Sequence, residues 1–316
     1  MARFVVRRLV QMVLVMFAVS VLTFLIFNVI PNGDPAVRMA GKTPTETQIE
    51  AIRKEWGFDE PLYVQYVTTM EKVFTGDLVS YTTQLDVMEE IVKGAPRTFS
   101  LAIGAAIIWM AFAVALGLYS AMKAGRFADR FLNVLALIGI SMPVFWIGAL
   151  MSYYLGFKAG IFPNGGYVEL TKDPVDWAYH LIMPWTALAL LFIGIYSSIL
   201  RSNVIDTMSE DYVRTARAKG LSERRVLVRH VLRNSLVPIV TLWGLDFGLV
   251  VGGGAILTET VFGLQGIGQF AADSISQLDV PPVLAVTMFG AFFIVLLNTV
   301  VDILYAYLDP RVRLEA

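Results

Sequence analysis

The chain has 316 residues, of which 56% are hydrophobic and 16% charged, with a net charge of −1, no cysteine and two histidines. A soluble domain is about 45–50% apolar and roughly 25% charged, so this balance points away from an ordinary soluble protein. The missing cysteines exclude a disulfide framework, a thiolate metal site and a cysteine nucleophile, and His180 and His230 lie too far apart in sequence to suggest a histidine-rich metal site.

In chain order, six long runs stand out. A helix needs about 20 apolar residues to cross a bilayer. Residues 9–33, 98–122, 131–157, 177–200 and 280–301 carry no Lys, Arg, Asp or Glu, and residues 234–258 carry one acid, Asp246, near the middle. Such runs predict an all-α, polytopic membrane protein with six transmembrane helices. Arg3, Arg7 and Arg8 precede the first run, as in a signal peptide. Its apolar stretch exceeds the usual length of about 7–15 residues, and no small-x-small cleavage site follows, so it is expected to remain as a span.

Between the first two runs, residues 31–93 are long enough to fold. Thr43-Pro44-Thr45-Glu46 has the form of a capping box with proline at the first helical position. Ile49, Ile52 and Trp56 recur at helical spacing, and Gly57 can end that helix. A second helix is expected from Pro61 to Gly76 and a third from Leu85 to Lys93, forming a small helical cap. Gly41-Lys42-Thr43 invites comparison with a phosphate loop, but Ala36 stands where that motif needs glycine.

Residues 123–130 form a short basic turn, so the helices on either side should be antiparallel neighbours. Pro143 and Pro184 are expected to kink the third and fourth spans. Residues 158–176 contain Pro163, Gly165, Gly166 and Pro174 and read as an irregular loop. Gly252-Gly253-Gly254 is expected to permit close helix contact or local bending. His180 reads as interfacial and His230 as a surface residue. Asp302 sits near the end of the sixth span, where an ion pair is expected.

With the N-terminus inside, 16 of the 25 Lys and Arg fall on the cytoplasmic side. The positive-inside rule favours that orientation, with both termini cytoplasmic. Residues 201–233 are then the one long cytoplasmic loop. Glu210 and Asp211 open a short helix and Gly220 ends it; the acidic start and basic finish suit the helix dipole. Ser222 can cap a second helix that runs back towards the membrane. Tyr212, Val213, Ala216 and Leu221 can share one apolar face. Composition alone leaves open whether this element lies on anionic lipid or docks a protein.

Asp246 is a costly charge at its depth unless it has water or a partner. Either it bonds a polar neighbour such as Asn298, or it lines a pathway and meets a cationic group such as a peptide amino terminus.

Several segments resemble a known family. Ala216, Ala218, Gly220 and Pro238 match the signature loop of the binding-protein-dependent ABC import permeases. The string from Asp211 to Leu221, followed by Arg229-His230-Val231-Leu232-Arg233-Asn234, is similar to the dipeptide/oligopeptide branch. Asn32-Gly33-Asp34-Pro35, Ser141-Met142-Pro143-Val144-Phe145-Trp146, Leu257-Thr258-Glu259-Thr260-Val261-Phe262, Val301-Asp302-Ile303-Leu304-Tyr305 and Leu308-Asp309-Pro310-Arg311 resemble other segments of that family. The chain departs from the pattern at Asn32, at Val79 and in residues 263–268, which lack a tryptophan-proline pair.

The resemblance implies a type I ABC importer permease fold, with residues 1–94 as first span plus outer loop and residues 95–316 as a five-helix core. It implies that residues 201–233 hold the coupling helix, in which Asp211, Tyr212, Arg214, Thr215, Ala216, Ala218, Lys219, Gly220 and Leu221 contact the ATP-binding subunit. Asp246, Asn298 and Glu259 are the candidate pathway residues. The implied partners are a second permease, two ATP-binding subunits, an extracytoplasmic solute-binding protein and membrane lipid, with no nucleic acid. ATP and Mg belong to the partners, so this chain is expected to bind no cofactor and to be no enzyme. The expected location is a bacterial or archaeal inner membrane. Peptides are the leading substrate class; nickel chelates, glutathione and oligosaccharides are the alternatives. A secondary transporter coupled through Asp246 is the rival machine, though inverted repeats are not seen. A membrane enzyme would want clustered catalytic groups that the spans do not offer.

Overall fold

A computed structural model describes residues 2–28, 35–40 and 45–308. The motif segments Asn32-Gly33-Asp34, Gly41-Lys42-Thr43-Pro44 and Asp309-Pro310-Arg311 lie outside the described residues, as do Arg313 and the side chain of Asp302. The described residues form helices and turns, with one isolated antiparallel bridge between Val79 and Asp86. Contacts group them into two compact units that interleave along the chain.

The first unit comprises residues 1–99, 248–260 and 264–316. Its long helices are α1 (Ala2–Asn28) and α14 (Val280–Leu308), which pack against each other. Between them in sequence come α2 (Pro35–Met39), α3 (Glu46–Trp56), α4 (Leu62–Thr75) and the start of α5 (Val87–Met122). Phe24, Met70, Leu284 and Met288 tie α1, α4 and α14 into one apolar cluster. Leu78, Val87, Ile91, Ile267, Ala271, Ala285 and Val286 form a second, through α13 (Ile267–Ser276).

The cap of α3 differs from expectation. Thr45, not Thr43, is the N-cap: its hydroxyl accepts from Gln48 N at 3.4 Å, and the Gln48 side chain accepts from Thr45 N at 3.0 Å. Glu46 then sits in the first turn, where negative charge suits the helix dipole. Gly57 and Gly76 end α3 and α4 in the left-handed conformation, as the sequence suggests. The separate third helix does not form. α5 begins at Val87 and runs unbroken through Pro96 to Met122, because proline removes one backbone donor yet retains a helical φ.

The second unit comprises residues 100–247 and 261–263. It holds the rest of α5, then α6 (Phe127–Ser141), α7 (Val144–Met151), α8 (Pro174–Met208), α9 (Asp211–Ala218), α10 (Glu223–Val226) and α11 (Arg233–Leu249). α6 and α7 both pack on α8. Asp173 caps α8, accepting from Val175 N and Asp176 N at 2.9 and 3.0 Å, with Pro174 in the first turn.

Among the described residues, five helices are long and apolar enough to cross a membrane, and six spans result when α6 and the helix after it count as one. The third span is the main surprise. It was expected as one run over 131–157, but it bends by 97° between Ser141 and Val144. Met142 is extended there, and Pro143 becomes the N-cap of the following helix. Proline disfavours helical geometry at its predecessor and cannot donate to the preceding turn; Pro96 and Pro184 are accommodated within their helices, whereas here Met142 leaves the helical region. Pro184, by contrast, lies within the uninterrupted α8.

Wide π turns interrupt the helical path at Ser152–Lys158, Leu227–Leu232 and Val250–Gly254. In the last, Gly253 has φ +137°. A Cβ on Gly290 would lie 2.2 Å from the Gly252 carbonyl oxygen, so α14 meets the glycine triad backbone to backbone. Bending and close packing therefore both occur at these glycines.

Candidate functional site

The cytoplasmic-loop candidates come together on α9. Asp211 and Arg217 occupy its first and last turns, matching the dipole. Gly220 ends it with φ +75°, a conformation that side-chain-bearing residues rarely adopt. Ser222 stands at the N-cap of α10, although its side chain makes no capping bond.

The expected apolar face is split. Val213 and Ala216 are 0% and 5% exposed and point into the chain, whereas Tyr212 is 40% exposed. Ala216, one of the coupling positions expected from sequence, packs inward against its own chain. The reason is helical spacing: positions three apart share a face, and that face meets the body of the protein. Asp211, Tyr212, Arg214, Thr215, Ala218, Lys219 and Gly220 are exposed, and Leu221 is half-buried.

Two braces hold the element. Arg217 donates to both carboxylate oxygens of Glu223, at 3.0 and 3.4 Å, across the Gly220 turn. Asn234 Nδ2 donates to the Tyr212 hydroxyl at 2.7 Å. His230 lies on the helix leading to α11, and its carbonyl accepts from Tyr212 at 3.4 Å.

Upstream, α8 is pinned close to the start of the loop. Arg201 donates to both oxygens of Asp129, at 2.6 and 2.8 Å. Ser120 Oγ, Gly125 N and Asn133 Nδ2 also donate to that carboxylate, at 2.6, 2.8 and 2.9 Å. One buried acid thus joins α5, the turn after it, α6 and α8. Sequence reasoning counted Arg201 as a loop cation and passed over Asp129; the available signal was a lone acid in a basic turn.

Asp246, on α11, is half-buried, and its Oδ2 accepts from the Tyr196 hydroxyl of α8 at 2.6 Å. The polar neighbour named from sequence was Asn298; the bonded partner is Tyr196. Tyr196 is fully buried, and Phe192 and Trp109 surround it with ring centroids at 6.3 and 6.4 Å. Asn298 is on α14, where its Oδ1 is buried without a hydrogen-bond partner among the described residues.

Glu259, on α12 (Ile256–Phe262), is 0% exposed. It accepts from Thr98 Oγ1 at 2.7 Å and from Gln269 N at 2.9 Å. Thr98 in turn accepts from Ile267 N at 2.9 Å. The pair satisfies free N–H groups at the start of α13, and this geometry holds the carboxylate in a structural role.

Asp279 is a second acid that the sequence reading missed. It is 3% exposed and accepts from Ser80 Oγ, Tyr81 N and Thr82 N, fastening the turn before α5 to the start of α14. Asp279 followed by Pro281 and Pro282 was a readable helix-start signal. Burial first, and the Asp279 charge second, raise the Tyr81 phenol well above its ordinary pKa. Among the described residues, no group of three or more His, Asp and Glu is placed to hold a metal ion.

Residues 113–314 match the family described as "Binding-protein-dependent transport system inner membrane component", and residues 1–102 match its N-terminal companion. The chain is 37% identical over 314 residues to a probable peptide ABC transporter permease of Sinorhizobium fredii, covering 99% of this chain and 100% of the other. It is 37% identical to a probable D,D-dipeptide transport system permease of Escherichia coli, covering 95% and 94%. It is 35% identical to a glutathione transport system permease of Escherichia coli, covering 99% of both.

Proposed function

This chain belongs to the family of binding-protein-dependent transport system inner membrane components, and on that premise we propose that it forms one half of the membrane pathway of an ATP-driven importer of di- and oligopeptides. The peptide class follows from the names of full-length relatives. The two-part organisation, residues 1–94 and 95–316, carries over from the sequence.

The observation that carries this reading is the build of α9. Its buried apolar positions, Val213 and Ala216, face its own chain, and its outer positions are mostly polar. A helix that lies on lipid needs a continuous apolar face turned to the membrane. α9 has spent that face on anchoring itself, so it suits a groove on a protein partner. That partner is an ATP-binding subunit, and the contacts are Asp211, Tyr212, Arg214, Thr215, Ala218, Lys219, Gly220 and Leu221.

Two ATP-binding subunits hold ATP and Mg and carry out the hydrolysis. A second permease completes the pathway about a pseudo-twofold axis, and a solute-binding protein delivers peptide from outside. The chain sits in a bacterial or archaeal inner membrane with both termini and α9 in the cytoplasm, the side favoured by the basic residues. ATP favours the closed state of its subunits, and that preference biases the permease towards its outward-open state. α9 passes the movement on because Arg217–Glu223 and Tyr212–Asn234 leave it little freedom to move apart from α10 and α11.

In the pathway, Asp246 meets the peptide's ammonium group, with Tyr196 orienting its carboxylate. Within the first unit, Asn298 Oδ1, which has no hydrogen-bond partner among the described residues, is a separate candidate acceptor. Glu259 reaches substrate only in a state that frees it from α13.

The test is reconstitution of the permease pair and ATP-binding subunits in liposomes with the solute-binding protein and a labelled dipeptide. Uptake requiring ATP and the binding protein is expected. Uptake by this chain alone, driven by an ion gradient, would contradict the proposal.

A further inference from the structure

We propose that the second unit contains a binding site for one anionic phospholipid, with an acyl chain in the cavity between α6, α7 and α8 and the headgroup on Arg126 and Arg130. The cavity has a volume of about 340 Å³, and Leu116, Leu132, Ala136, Met142, Ile147 and Leu190 are among its walls. The break at Pro143 creates it, since a straight third span would have carried the chain past the space that Met142 and Ile147 now border.

Length bears on the occupant. From Leu132 in α6 to Met142 just beyond its end, the chain rises about 15 Å, half of the ~30 Å hydrocarbon thickness of a bilayer. The cavity therefore has the length of one leaflet, which suits a single acyl chain.

Polarity disfavours a peptide. The side-chain donors in the wall are engaged: Ser120 and Asn133 donate to Asp129, and Ser197 donates to the Gly194 carbonyl at 3.2 Å. An otherwise apolar wall suits a peptide backbone poorly, since its burial without partners is costly.

Charge selects the headgroup. Arg126 is the N-cap of α6 and Arg130 lies one turn on; both are exposed, and neither has an ion-pair partner among the described residues. Arg126 precedes Leu132 by six residues, about 9 Å along a helix, which places headgroup and chain at consecutive depths. Phe127 is 83% exposed and stacks on Phe131 with centroids 6.3 Å apart. Exposed apolar rings interleaved with the two arginines place an apolar surface beside a cationic one, as the junction of acyl chain and headgroup requires. Guanidinium groups bind phosphate in bidentate fashion, and the cytoplasmic leaflet supplies anionic lipid.

The experiment uses the intact transporter in nanodiscs of equal parts phosphatidylglycerol and phosphatidylcholine, followed by extraction into mild detergent and lipid counting by native mass spectrometry. Wild type is expected to retain phosphatidylglycerol at least tenfold over phosphatidylcholine. Arg126→Gln with Arg130→Gln, both at the surface and not expected to impair folding, should bring that ratio close to one. Leu135→Trp, in the cavity wall, should lower retention of both lipids. An unchanged ratio in the double variant would overturn the proposal. A second readout uses Leu135→Cys, a unique thiol in a cysteine-free chain, carrying a photoreactive benzophenone. Lipid adducts are expected; an adduct dominated by another protein chain would overturn the site. Neither readout depends on which solute is transported.

Discussion

Arg201 closes on Asp129 with two parallel hydrogen bonds, joining residues 72 positions apart. α8 leads from that ion pair to α9 within ten residues, so the pair fixes the root of the loop. Asp129→Asn should leave the Arg201 charge without a partner. Breaking a fully buried pair costs about 3–5 kcal/mol; the Arg201 side chain is 26% exposed, so about 2–3 kcal/mol is expected here after screening by solvent. Ser120→Ala, which removes one hydrogen bond to the carboxylate, should cost about 1 kcal/mol. Thermal unfolding in detergent, followed by loss of the monodisperse chromatographic peak, should rank wild type above Ser120→Ala above Asp129→Asn.

Gly290 offers a sharper test of packing. Alanine there would place Cβ 2.2 Å from the Gly252 carbonyl oxygen. Backbone cannot yield as a flexible side chain does, so the cost should reach or exceed the usual ~1–3 kcal/mol of overpacking. Gly76→Ala meets no atom within 4 Å and strains only φ, at +88°, so it should cost about 1 kcal/mol. Equal melting temperatures for the two variants would mean that α14 does not rest on the glycine triad.

Much of this was readable in the sequence. The charge-free runs located the spans, and Gly57, Gly76 and Gly220 marked helix ends because a left-handed residue at a C-terminus favours glycine. α9 was bounded correctly by its own charges. Other features were not readable because they join distant positions. Ser80 and Asp279 are 199 residues apart, and local pattern does not encode such pairing. The inward turn of Ala216 depended on what packs against α9, which helical spacing alone does not reveal. The bend at Pro143 was readable as a kink but not as 97°, since its size is set by the packing of α6 and α7 on α8.

Asp246→Asn should separate charge from shape. The amide oxygen can still accept from Tyr196, so the melting temperature should hold. Transport should shift away from peptides with a free amino terminus, relative to N-acetylated peptides, by about tenfold in apparent affinity, the factor that ~1.4 kcal/mol represents. Competition uptake assays with the two peptide forms would measure it. An unchanged preference would assign the Asp246–Tyr196 pair to folding.

The Tyr81 phenol gives a pH-dependent signature outside the spans. Burial and Asp279 raise its pKa in the folded chain. A raised folded pKa means that the contribution to stability is complete below the unfolded value, about 10 for tyrosine, and is lost as pH rises from there through the folded pKa. Tyr81→Phe should therefore lose stability more slowly than wild type above about pH 10. Melting curves at pH 8 and at progressively more alkaline pH, compared as differences between the two proteins, should diverge only at the alkaline end.

In the proposed assembly, α9 docks an ATP-binding subunit through its outer face. The chain has no cysteine, so a single thiol at Ala218→Cys can be labelled with a benzophenone maleimide in the assembled transporter and irradiated. Ala218 is exposed, whereas Ala216 is 5% exposed, and Ala216→Cys provides the inward-facing comparison. The expected result is a covalent adduct between position 218 and the ATP-binding subunit, at least tenfold more abundant than from position 216. Lipid adducts alone from position 218, with the ATP-binding subunit present and active, would contradict the account.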